Sequence, residues 1–285
     1  MSIPGSIYQT IGLQSQTFKI AFLRRRLLFE KFLIPRTNMQ QVGASYALAK
    51  QDIIKRSKVL GNGNTFTSRN WLVHKIANEA LANAFSKYAR GLLADIGCGD
   101  KPYREMLKPN VTQHVGIDHA DTLHDKASID LLGTAYAIPV ADEYFDTAIC
   151  TAVLEHLEEP DKAIKETRRV LKQGGYAIYG VPFFWHLHEE PRDFFRYTKY
   201  GLRFLFEKNG FEIIELNALS GFWVTFGQEL VYYLWNCRGS RRLNPLWWII
   251  PFVGMIIQWI CYQLNKGDFS TGFTWAYLVV VRKQH

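Results

Sequence analysis

The chain has 285 residues, 48% hydrophobic and 14% aromatic, with 34 Lys and Arg against 26 Asp and Glu, a net charge of +8. Such a composition supplies a packed core, excludes a disordered or collagen-like chain, and by length allows one or two domains. The charge is concentrated: residues 1–60 hold ten Lys and Arg against two acids, while residues 61–285 carry 24 of each sign, so a basic segment precedes a neutral body. No basic stripe interleaves with the body's aromatic residues, which speaks against a nucleic-acid partner.

Four zones follow in chain order: a basic segment over 1–70, an alternating α/β core over 71–218, an apolar aromatic insertion over 219–265, and a final strand within 266–285. Met1–Thr17 has no apolar run of the signal-peptide kind. Phe18–Ile34 is apolar nearly all round with scattered bases, and reads equally as a membrane-seeking arm or a solvated one. Trp71–Tyr88 has helical periodicity through Leu72, Ile76, Ala80 and Leu81. Leu92–Ile96, Gln113–Ile117, Phe145–Thr151 and Tyr176–Val181 are short apolar runs ended by a turn or an acid, and read as strands. Asp161–Leu171 is a helix with Ala163, Ile164, Thr167, Val170 and Leu171 on one face, stopped by Gly174 and Gly175. Helix Tyr200–Asn209, a stop at Gly210, strand Phe211–Leu216 and a last strand Trp275–Val281 complete a mostly parallel sheet covered on both faces. Cys98, Cys150, Cys237 and Cys261 form no C-x-x-C pair, so reduced thiols in a cytosolic protein are expected and zinc is not.

Leu92–Asp100 is a strand running into a glycine turn, where Gly97 and Gly99 let the backbone bend and approach a ligand. Asp118 ends the next strand, where dinucleotide-type folds hold ribose hydroxyls. The segments DIGCGDKPY, GID and FDTAICTAVLEHLEEPDKAIKETRRVLKQGGYAIYGVP together resemble the class I S-adenosylmethionine-dependent methyltransferases of the small-molecule type, from about Leu92 to Leu216 plus the last strand. The resemblance implies a doubly wound, Rossmann-like seven-stranded sheet with the apolar helical insertion before its last strand. It implies S-adenosyl-L-methionine as cofactor, held by Asp95, Gly97, Cys98 and Gly99 on the methionine side, Asp118 at the ribose, and Thr134 and Ala135 at the adenine edge. Thr151 would line the transfer cleft. Lys101 stands where many relatives have a third glycine. Thr134 stands where many have an Asp, a role that the Thr hydroxyl or Asp130 would take.

Pro182–Tyr197 follows the carboxyl end of a central strand and mixes histidines, carboxylates and aromatics, which suits a hydroxyl-rich acceptor. His188 and His186 are the candidate bases, because imidazole titrates near neutral pH. His156 reads as a brace below the cleft, and the spacing of His186, His188, Glu189 and Asp193 matches no metal-ligand motif. The insertion holds five of the chain's eight Trp, and Leu246–Leu264 runs 19 residues without a charge. A single crossing would separate the last strand from its sheet, and Phe222–Trp235 is too short to be the second crossing. Two helices in the membrane interface, or a shallow re-entrant hairpin, are therefore expected, with Arg238, Arg241 and Arg242 on anionic lipid. Burial within the chain or in an oligomer is the competing reading.

The function expected is methylation of a sugar oxygen on a lipid-linked or surface glycan, by an enzyme peripheral to the cytoplasmic membrane face. The glycan reading draws on the similarity of the HEEPRDFFRYT loop to relatives found with polysaccharide assembly. A lipid or quinone-type ring, another small molecule, or a non-catalytic cofactor-binding role at the membrane are the alternatives.

Overall fold

A computed structural model of the chain describes residues 65–122, 126–237 and 246–284. The basic segment 1–64, including Phe18–Ile34, and the three arginines 238, 241 and 242 lie outside the described residues.

The apolar runs form seven strands: β1 Gly91–Ile96, β2 Val111–Asp118, β3 Leu131–Leu132, β4 Phe145–Thr151, β5 Leu171–Pro182, β6 Phe211–Ala218 and β7 Ala276–Lys283. They make one sheet in the order β3-β2-β1-β4-β5-β7-β6. The first five are parallel, and β7 enters antiparallel between β5 and β6. This is the doubly wound α/β architecture expected, and its strand order reverses between β1 and β4, so ligands are predicted outside the carboxyl ends of these strands.

The helices are α1 Trp71–Tyr88, the single turn α2 Arg104–Leu107, α3 Pro160–Val170, α4 Lys199–Lys208, α5 Phe222–Cys237 and α6 Leu246–Asn265. Alternate residues of the central strands serve opposite faces. Ala148, Cys150, Ala177 and Tyr179 pack with Ile164, Leu202 and Phe206 of α3 and α4, whereas Ile149, Ile178, Leu278 and Val280 pack with Leu81 and Phe85 of α1. Burial on both faces is why these strands read as nearly continuous apolar runs.

Two elements differ from expectation. The two-residue β3 carries no apolar pattern and exists only through its pairing with Ile117 and Asp118. Helix α3 ends at Val170, and Leu171 already pairs with Phe145, so Gly174 (φ 69°) lies in an irregular stretch inside β5 and does not cap the helix.

Between β6 and β7 the insertion folds as the α5–α6 hairpin. Gly227 sets its spacing: a Cβ there would lie 2.4 Å from Cys261 Sγ, so the two helices meet at backbone distance. The hairpin docks on the start of α1 by hydrogen bonds. Gln258 Oε1 accepts from Leu72 N (3.0 Å), a first-turn donor that no side-chain N-cap satisfies, and Gln258 Nε2 donates to Ser68 O (3.1 Å). Gln228 Nε2 donates to Arg69 O (2.8 Å), and the Tyr232 hydroxyl donates to Asn70 Oδ1 (2.6 Å). One side of the hairpin is thus buried in the chain. The other side exposes Trp248, Phe252, Ile256 and Trp259 at helical spacing along α6. Burial within the chain, one of the expectations for the insertion, thus holds for one face, and the other face is exposed.

Candidate active site

The carboxyl end of β1 turns at Gly97 (φ 71°), where a Cβ would fall 2.4 Å from Val153 Cγ2 in the loop after β4. Only glycine allows the two loops to close on each other there. Gly97 N and Cys98 N donate to Ile117 O (2.9 and 3.2 Å), which ties the turn to β2. Gly99 N donates to Asp118 Oδ2 (3.0 Å), and Asp118 Oδ1 accepts from His119 N (2.7 Å). Each Asp118 oxygen keeps a further lone pair, so this nearly buried carboxylate beside a glycine turn fits the two hydroxyls of a ribose. Thr134 and Ala135 follow β3 directly, next to Asp118, whose carbonyl accepts from Gly133 N (3.1 Å). Thr134 is exposed and Ala135 half-buried.

Asp95 is buried with Oδ2 2.8 Å from His114 Nε2, and burial raises its pKa against the opposing effect of that imidazole. Burial likewise pushes the Cys98 thiol up to about 12, so its part in the turn is played by its backbone. Thr151 ends β4, and burial raises the pKa of the neighbouring Tyr103 hydroxyl against the opposing effect of Thr151.

Lys101 adopts φ 53°, the conformation for which glycine is the usual residue, and its Nζ pairs with Asp130 and donates to His114 O (3.3 Å). Gly116 makes room for its stem, since a Cβ there would meet Lys101 Cε at 2.3 Å. Asp130 Oδ2 also accepts from Gly116 N (2.7 Å). Asp130, the alternative for the adenine edge, thus has Oδ2 engaged by Lys101 and β2.

On the acceptor side, Arg196 organises the loop after β5. Its fork grips Asp193 (Nη1 to Oδ1 2.6 Å, Nη2 to Oδ2 2.7 Å), and it donates to Trp185 O, His186 O and Phe195 O. Burial pushes the Asp193 carboxyl up, but the Arg196 fork and the His188 N–H outweigh it and hold the pKa at about 2. Phe194 N and Phe195 N donate to Glu155 O, and the Tyr197 hydroxyl donates to Leu154 O, so the loops after β4 and β5 are tied together.

The two candidate bases separate. His186 Nδ1 faces Glu229 of α5 at 3.4 Å, and its ring lies against Tyr232, so it belongs to the contact between loop and hairpin. His188 stands edge-on to His156, ring centroids 4.8 Å apart, and burial lowers its pKa. Beneath them lies Glu155, 0% exposed, whose pKa burial pushes up to about 8. The ligand atoms of Glu155, His156 and His188 lie within 4.8 Å of one another. Sequence reasoning missed Glu155, one of three glutamates in a short turn, and treated His156 as a brace. The adjacent pair Glu155-His156 at a strand end was the available signal.

The profile of a family described as a methyltransferase domain matches residues 94–179. An uncharacterised protein of Methanocaldococcus jannaschii is 30% identical over 160 residues, 54% of this chain and 73% of that protein. The ubiquinone biosynthesis O-methyltransferase of Nitrosomonas europaea is 27% identical over 35% of this chain and 45% of its own length. A tRNA (carboxymethyluridine(34)-5-O)-methyltransferase of Arabidopsis thaliana is 34% identical over 35% of this chain, but the match spans only 25% of that protein. Among solved structures, a SAM-dependent methyltransferase from Archaeoglobus fulgidus aligns at TM-score 0.48 and 17% identity, over 78% of this chain and 97% of that one.

Proposed function

The chain belongs to the class I S-adenosylmethionine-dependent methyltransferases, and on that premise we propose that it O-methylates a sugar of a lipid-linked or surface glycan while resting on an anionic membrane surface. S-adenosyl-L-methionine, when bound, supplies a sulfonium methyl group open to in-line displacement. The chain's own residues bind and orient. The turn at Gly97, Cys98 and Gly99 admits the cofactor backbone-close, with Asp95 beneath the turn. Asp118 accepts from the ribose hydroxyls, Thr134 and Ala135 border the adenine, and Thr151 lines the cleft. The acceptor hydroxyl gives up its proton on the His188 side of the loop, beside His156 and Glu155.

The observation that carries the membrane and glycan reading is the direct packing of the acceptor loop on the hairpin: His186 against Glu229 and Tyr232, Trp185 against Tyr232. An acceptor tethered to lipid and met at the hairpin's outer face would reach the loop without leaving the surface. The exposed loop rings Phe184 and Phe194 suit the apolar faces of a sugar. Helix α6 contains the one described helix long and apolar enough to cross a membrane, Trp247–Asn265, yet Gln258 and Cys261 pin one side of it inside the chain. That supports lying in the interface at the cytoplasmic face, where the basic residues of segment 1–60 and Arg238, Arg241 and Arg242 add attraction to anionic lipid.

A quinone-type lipid ring is the second reading, favoured by the same apolar surface and by the similarity to a protein named as a ubiquinone biosynthesis O-methyltransferase. Transfer of label from methyl-labelled cofactor into a membrane extract tests both. Acid-released O-methyl sugar supports the glycan reading, and label confined to the quinone fraction overturns it.

A further inference from the structure

Glu155 is an anomaly in a folded protein. Its carboxyl group is wholly buried, and neither oxygen has a hydrogen-bond partner among the described residues. A buried carboxyl group with no hydrogen-bond partner is costly even as the neutral acid, which leaves a donor and an acceptor unsatisfied. The nearby cation is no remedy, because Arg196 has five N–H groups and spends all five, two on Asp193 and one each on the carbonyls of Trp185, His186 and Phe195.

Two imidazoles complete the geometry. His156 Nε2 and His188 Nε2 each lie 3.9 Å from Glu155 Oε1. In both rings the opposite nitrogen is engaged. His156 Nδ1 donates to Arg192 O. His188 Nδ1 lies 3.4 Å from Asp193 Oδ2, with Arg196 Nη2 equally close. In His156 the proton on Nδ1 is held by a carbonyl, which leaves its Nε2 lone pair facing Glu155; His188 offers Nε2 in the same way when its Nδ1 carries the proton toward Asp193. That outer-shell arrangement is how proteins orient histidine ligands toward a metal.

We propose that Glu155, His156 and His188 form a binding site for a divalent transition-metal ion of the zinc class, open on the acceptor side of the cleft. Two imidazoles and one carboxylate are a donor set that zinc accepts with a position left for substrate or water. Metal–ligand bonds of about 2.0–2.2 Å span at most about 4.3 Å across one ion, so atoms 3.9 Å apart can share it, and modest side-chain rotation brings in the third. The ion gives the Glu155 carboxyl oxygens the partner that the fold leaves out. The exposed Glu189 has its Oε2 3.9 Å from His156 Nε2, on the outer side of the cluster. The site's use, though not its existence, rests on the methyl-transfer reading. An acceptor hydroxyl bound to the ion becomes more acidic and loses its proton to water; its oxygen then takes the methyl group as the bond from sulfur to methyl breaks. His188 then acts as a ligand and needs no free lone pair to serve as base.

The test is a titration of the full chain, stripped with chelator, using Co²⁺ followed by its visible absorption and Zn²⁺ followed by calorimetry, both without cofactor. The expected result is one ion per chain. The near-isosteric Glu155→Gln and His188→Gln should each weaken binding more than tenfold, Asp193→Asn about tenfold through the lost outer-shell partner, and Asp118→Ala not at all. Wild-type protein that takes up no stoichiometric ion, or binds it no better than Glu155→Gln, overturns the site. Separate titration with S-adenosylmethionine keeps the outcomes apart, since the cofactor can bind where the metal does not, and the reverse.

Discussion

The hairpin and the carboxyl edge of the sheet both bury polar side chains, to opposite ends. Gln258 commits both ends of its amide to the backbone at the start of α1, and Gln228 commits its nitrogen there. These bonds fasten one element to another, although Gln228 Oε1 stays buried without a hydrogen-bond partner. At the sheet edge, Asp118 keeps a lone pair on each oxygen, and the Glu155 carboxyl oxygens have no hydrogen-bond partner among the described residues. Burial of a polar group therefore does not itself mark a site. Leftover valence at the carboxyl edge of the sheet does, whereas the unpaired oxygen of Gln228 lies away from it.

Substitutions on each side sharpen the contrast. Gly97→Ala carries the largest expected effect, because it adds a left-handed conformation costing about 1–2 kcal/mol to an overlap with Val153, for a total of about 2–4 kcal/mol. Thermal melting of Gly97→Ala alone and with Val153→Ala checks this: the second change should relieve the overlap and leave the conformational cost. If the double variant is no better than the sum of the singles, the close approach of these loops is not what requires glycine. Gln258→Leu leaves the Leu72 N–H and Ser68 carbonyl without that partner and should lower stability by about 2–3 kcal/mol, with cofactor affinity unchanged. A parallel loss of cofactor affinity would mean that the hairpin is not merely fastened but coupled to the cleft.

On the hairpin's outer face the expectation inverts. Trp248→Ser with Phe252→Ser should change stability by no more than about 0.5 kcal/mol, yet abolish flotation with anionic liposomes. If the double variant floats as well as the parent, this face is not the membrane contact. If the parent instead self-associates and the variant does not, the face is an oligomer interface. The smallest effect concerns Asp161, which accepts from Asn209 Nδ2 and Lys208 Nζ (3.0 Å each) and so ties α3 to the end of α4. These partners hold its pKa at about 2, below the ordinary 3.8. Its contribution is present above about pH 4 and is lost as pH falls toward 2. Asp161→Asn should flatten that part of the acid unfolding curve, and an unchanged curve would show that the bonds add nothing.

The same contrast explains what the sequence reveals. Strands β1, β4 and β7 are legible because burial on both faces leaves nearly continuous apolar runs, and the glycine turn with Asp118 at the next strand end is legible because its chemistry is local. The two-residue β3 is not, since its pairing with β2 and not its own pattern makes it a strand. The burial of Glu155 is illegible for a related reason: the loop that returns at Phe194 and Phe195 covers it, and beyond its place beside His156 at a strand end nothing around it announces that return. The length and aromatic content of the hairpin are plain in sequence. Which face turns inward depends on Gln228 and Gln258, whose partners lie far back in the chain at the start of α1.

The most direct test of the account is calorimetric titration of the full chain with S-adenosylmethionine beside its Asp118→Ala variant. One cofactor per chain is expected, with a loss of at least about 100-fold on removing the carboxylate, as befits two charge-assisted hydrogen bonds. Equal affinity in the two proteins would contradict it.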